Sequence, residues 1–213
     1  MEALEYADAA GTVRLKELGL TLDDLDFALR GADAEARTWS AAAPPIMPGL
    51  ARWGKTAELL RLRLLPREWS QDNPRGLPRT ISPDREVAIV PTAGDAATGL
   101  PKANPSNRYP KGIETMKAVE RNVQLAFDFS DLFGEAGPDD DVMATWLLLY
   151  NVTPAEIRAE LSLPSDITPA GFVSAWQERI ILPVIGLTSP DIAGRGLPEN
   201  GENGDVTVAV EQR

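Results

Sequence analysis

The chain contains no cysteine and no histidine. Without cysteine there are no disulfides, no thiolate nucleophiles and no zinc-thiolate sites, a composition that fits a reducing compartment. Without histidine the chain lacks the side chain that most often moves protons near neutral pH and most often binds transition metals. Serine-histidine hydrolysis and ordinary zinc hydrolysis are therefore excluded as self-contained mechanisms. Apolar runs long enough to span a membrane are missing as well. The opening residues, MEALEYADAAGTVRLKE, have no basic-then-apolar signal pattern. These absences point to a soluble, cytoplasmic protein with no membrane partner. They also lean away from an enzyme, leaving open only a carboxylate-and-metal mechanism through Asp72, Asp84 and Asp95.

With 213 residues and 43% hydrophobic content, the chain can bury a core of its own. Leu22, Leu25 and Leu29 recur at helical spacing, and Thr21 with Asp24 forms a capping pair. This predicts a helix from Leu22 to Gly31, resuming from Ala34 to Trp39, while residues 12–18 fit either strand or helix. The prolines of AAAPPIMPG predict an extended connector. Leu50, Trp53, Ala57, Leu60 and Leu64 predict a second helix ending before Pro66. After a closely punctuated loop, the apolar run from Val87 to Val90 predicts a buried strand that stops at Pro91. Met116, Val119 and Val123 mark a helix over 113–125. MATWLLLYNV and IRAELSLP predict a hairpin, because Ile157, Ala159, Leu161 and Leu163 alternate with Arg158, Glu160 and Ser162. GFVSAWQERIILP predicts a short helix followed by a strand.

The expected fold is α+β, with a small mixed or antiparallel sheet over 86–90, 145–151 and 156–163 packed by helices over 50–64 and 113–125. An N-terminal helical arm and connector (1–45) precede the core domain (46–187). A flexible acidic tail (188–213) follows, poor in large apolar residues.

The net charge of -11 is unevenly spread: residues 61–121 hold 11 basic against 7 acidic side chains, the opposite sign to the rest. The basic set Arg75, Arg79, Arg85, Lys102, Arg108 and Lys111 is interleaved with Trp69 and Tyr109 in loop-forming sequence. Guanidinium groups fork phosphate and aromatic rings offer stacking platforms, so this is a candidate anion- or nucleic-acid-binding surface. The alternative is that these arginines pair with carboxylates inside one fold.

TAGDAATG at 92–99 has two glycines but lacks the lysine and hydroxyl residue of a phosphate-binding P-loop, so a turn is the better reading. QLAFDF resembles the short peptides that engage the bacterial sliding clamp, with Gln124, Leu125, Phe127 and Phe129 as candidate partner contacts; core packing is the competing reading. Asp139, Asp140 and Asp141 follow Gly137-Pro138 and read as capping or solvated acids rather than a metal site. No cofactor and no metal site is expected.

Taken together, WSQDNPRGLPRTISP, TAGDAATG, YPKGIET, ELSLP and WQERIILP resemble a family of uncharacterised bacterial proteins associated with genomic islands and other mobile elements. The resemblance covers residues 45–185. It implies a fold and no established activity, and it transfers no functional residue. The function expected is a non-catalytic interaction protein of a mobile element or defence locus, contacting a protein partner through loops 67–112. The alternative is a nucleic-acid- or nucleotide-associated protein using the same loops.

Overall fold

A computed structural model describes residues 3–127 and 143–187. In chain order the elements are β1 (Leu4–Tyr6), α1 (Asp8–Glu17), α2 (Leu22–Arg37), α3 (Met47–Leu64), β2 (Ser70–Asp72), β3 (Arg79–Ile81) and β4 (Val87–Ala93). They continue with α4 (Ile113–Phe127), β5 (Ala144–Val152), β6 (Glu156–Ile167), β7 (Val173–Ile181) and β8 (Ile185–Gly186). The strands form one mixed sheet in the order β1-β7-β6-β5-β4-β3-β2, with β8 pairing β6, and the fold is α+β. β4 and β5 run parallel and are joined through α4, while β5, β6 and β7 form an antiparallel meander. The expected tail at 188–213 and the acids Asp139 to Asp141 lie outside the described residues.

Local chemistry explains the helix starts. Thr21 accepts from the Asp24 backbone at 3.3 Å and Asp24 accepts from the Thr21 N–H at 2.8 Å, a complete capping box. Burial works to raise the Asp24 carboxyl, but hydrogen bonds from Arg67 and Thr21 outweigh it and hold it below the ordinary carboxylate value. The predicted pair of short helices is one continuous α2. Pro48 stands in the first turn of α3, where its missing N–H has no partner to lose, so the helix begins ahead of Leu50.

The strand predicted to stop at Pro91 runs on to Ala93. β3 pairs only with Ala88 and Ile89, so at Pro91 that flank of β4 is an edge, where proline is tolerated. The predicted short helix after Gly171 is strand throughout, because β6 on one side and β1 on the other supply ladders that override local preference.

The sheet has two unlike faces. On the front, Val87, Ile89, Trp146, Leu148, Leu161 and Ile180 pack with Leu15, Leu25, Leu29, Leu60 and Leu64 from α1, α2 and α3. The N-terminal segment is thus helical, as expected, and is built into the main core. On the back, α4 lies against β5 and β6. There Val90, Leu147 and Leu149 meet Val173 and Trp176, which irregular pairing between Leu163 and Ile167 turns onto this side. The rest of the back face is polar and also buried: Thr92, Glu160 and Ser162 are 0% exposed and Arg179 is 1% exposed.

Candidate functional site

The structure scatters the basic set. Trp69 is 5% exposed within the front core, so it offers no stacking platform. Arg79 is buried on β3, with Nε donating to Asp72 at 2.8 Å and Nη2 to the other oxygen of the same carboxylate. Arg75 is exposed and pairs with Glu114 at the start of α4, at 3.0 Å. Arg85 stands exposed on the β3–β4 turn, before β4 begins. Lys102 is exposed near β1, its backbone N–H donating to Glu5 at 3.0 Å. Arg108 bonds by its backbone to Ala93, the last residue of β4, and stacks on the exposed Tyr109 ring at 5.7 Å. Arg85 and Arg108 are therefore at opposite ends of a seven-residue strand, roughly 20 Å apart along its axis. Only Arg108, Tyr109 and Lys111 come together.

The carboxylates do not converge either. Asp72 is taken by Arg79, and Asp95 accepts backbone N–H groups of Ala97 and Ser106 at 3.0 and 3.1 Å. Asp84 accepts from the Ser82 hydroxyl and the Glu86 N–H, which hold its carboxyl below the usual range. No group of three potential metal ligands gathers among the described residues. Of the candidate clamp-binding peptide, the side chains of Gln124, Leu125 and Phe127 and all of Phe129 lie outside the described residues.

Of the 92–99 segment, Thr92 and Ala93 finish β4 and the turn follows from Asp95, whose carbonyl accepts from the Thr98 N–H. One of its glycines does present an N–H to an anion, but the anion is internal: Gly99 donates to Glu160 at 2.8 Å. Glu160 in turn holds Arg179, whose five N–H groups are all engaged. Nε donates to Glu160 at 3.1 Å, Nη2 to Glu160 at 2.6 Å and to the Leu100 carbonyl at 3.2 Å, and Nη1 to Glu5 and to the Ala103 carbonyl at 2.6 Å. Ser162 donates at 2.8 Å to the same Glu160 oxygen that accepts from Arg179 Nε. This network fastens β1, β6, β7 and the 99–103 loop to one another. It has no group left over for a ligand.

On the front face lies a cleft of about 580 Å³ between α1, the β3–β4 turn and the starts of β4 and β5. Trp69 and Trp146 line it together with Arg14, Lys16, Asp84 and Glu86. Arg14 forks Glu178 at 2.7 and 3.0 Å, bonds Glu17 at 2.8 Å, and lies 5.8 Å from the Trp146 ring centre. The Glu178 and Glu17 carboxylates hold its guanidinium firmly protonated against partial burial. Lys16 and Glu86 stand at the rim, their side chains without partners among the described residues. Arg14 and Glu178 are 164 residues apart, and no local sequence signal links them. Trp146 sits in a strand that reads as plain apolar core. Segment 67–87 contributes one wall, through Trp69 and the 82–86 turn. The chain matches no family model, no curated protein and no solved structure, so its function is read from geometry alone.

Proposed function

We propose that this is a non-catalytic interaction protein that receives a basic segment of a partner protein in the cleft between α1 and the β3–β4 turn. The observation that carries the reading is the cleft itself: its inner charges are already paired, and acids outnumber bases among the side chains that line it. Lining it are Glu17, Asp84, Glu86 and Glu178 against Arg14, Lys16 and Arg67. The whole chain is strongly acidic, which favours the approach of a basic partner. The role we propose is one in a bacterial mobile element or defence locus, as the loop resemblance implies.

Titrating tryptophan fluorescence with lysine- and arginine-rich peptides, and with acidic peptides of equal length, tests it. Basic peptides should perturb the indoles, less so at high salt, and Glu86→Lys should weaken them further. Equal response to both peptide sets, or none to either, sinks the reading.

Nucleic-acid or nucleotide association is favoured by one feature, the Arg108 guanidinium over the exposed Tyr109 ring, beside Lys111. Binding of labelled single-stranded DNA or RNA, falling steeply with salt and lost in Arg108→Ala, would support it.

A further inference from the structure

Lys111 lies on the sheet's back face, away from the cleft. Its Nζ has one hydrogen-bond partner, the Thr92 hydroxyl at 3.2 Å, and Thr92 is itself 0% exposed. A lysine in such a place would ordinarily be met by a carboxylate. The carboxylates on the surrounding elements are engaged elsewhere. Asp95 is held by the backbone of Ala97 and Ser106, Glu160 by Arg179, Ser162 and Gly99, and Glu114 by Arg75 and Lys117. The remaining cation of the loop, Arg108, stacks on Tyr109. Burial without a counter-charge pushes the Lys111 amine down to about 8. Taken as a whole residue, Lys111 is half-buried.

The backbone around it is tightly clasped. Lys111 N–H donates to the Gly171 carbonyl at 2.8 Å, and Asn107 reaches the same carbonyl at 2.8 Å and the Val173 N–H at 2.8 Å. Gly171 has φ +81°, and a Cβ there would stand 2.5 Å from the Lys111 carbonyl oxygen. Loop and turn meet with no slack for added atoms.

We propose that Lys111 is the lysine of this chain preferentially acylated by small acyl phosphates or acyl thioesters, and that its acylation releases the 107–111 loop from the β6–β7 turn. The neutral amine attacks the acyl carbon; the N–C bond forms and the acyl C–O or C–S bond breaks. Phosphate or thiolate departs, and one amine proton passes to water. The resulting amide is larger than the amine and is neutral at every pH, and among the described residues the only side-chain partner beside it is the Thr92 hydroxyl that had accepted from the amine. The clasp at Gly171 is the contact that must give way.

Acetyl phosphate at pH 7.5, followed by site-resolved mass spectrometry of the intact chain, tests both parts. The chain has five lysines, so each of Lys16, Lys55, Lys102 and Lys117 is an internal reference. The neutral fraction of Lys111 exceeds theirs by roughly two orders of magnitude, partly offset by its lower basicity and access, so Lys111 should acetylate about tenfold faster. Its rate should level off a little above pH 8 while the others keep rising. Hydrogen exchange of the Arg108 and Lys111 amides should quicken in the acetylated fraction. Labelling spread evenly over the lysines, or slowest at Lys111, overturns the site. Unchanged exchange after acetylation overturns the release.

Discussion

The two faces of the sheet are built from the same strands by opposite means. The front buries leucine, isoleucine and tryptophan side chains against three helices, an arrangement that depends on area and volume and tolerates some misplacement. The back buries an arginine, a glutamate, a serine, threonines and asparagines against a loop and one helix, and it holds only if donor meets acceptor at each point. The contrast shows how 94–112, with almost no regular structure, lies firmly on the sheet. Its carbonyls and N–H groups are bonded to Arg179, Glu160, Glu5 and the 171–174 turn in place of an apolar underside.

The comparison breaks most readily at Arg179. Arg179→Met leaves Glu160 buried and unpaired, and should cost about 3–5 kcal/mol in urea unfolding. Adding Glu160→Leu should return most of that loss; a double variant no better than the single would mean the loop contacts, rather than the ion pair, carry the back face. On the front, Leu148→Ala removes apolar volume alone and should cost about 3 kcal/mol, with no partner substitution able to restore it.

Gly171→Ala should cost about 2 kcal/mol through its positive φ and the clash with Lys111, with faster hydrogen exchange confined to 107–111 and 168–173. The smallest effect runs the other way. The Lys111 amine titrates near 8 folded and near 10.5 unfolded, so the unfolded chain binds more protons between those values and stability rises with pH across that window. Lys111→Met should therefore stabilise by about 1 kcal/mol below pH 8, an advantage that fades as the pH approaches 10.5, followed by thermal melts at several pH values.

Much of the front was legible. Leu25, Leu29, Leu60 and Leu64 announce helices by spacing, and Ile157 to Leu163 announce a strand by alternation. The back was not. Alternation in β6 separates Glu160 and Ser162 from their apolar neighbours, yet the same pattern describes a strand with one wet face and a strand with a buried polar one. Which of the two holds depends on Arg179, a residue in a segment that reads locally as helix then strand. Trp69 shows the same limit at the candidate site: an aromatic among arginines has the composition of a binding loop, and only the approach of Gly19 and the front core shows that it is buried.

By itself the amino-acid order determined which stretches coil and which extend, that one apolar core would form, and that histidine and cysteine chemistry was closed to it. Those properties follow from spacing within a dozen residues and from composition. The tertiary structure alone decided which charges would neutralise each other, which would stay without a counter-ion, and where a cleft would open. Pairings such as Arg14 with Glu178 and Arg179 with Glu5 join residues more than 150 positions apart, and only the closing of the sheet brings such groups within hydrogen-bonding reach.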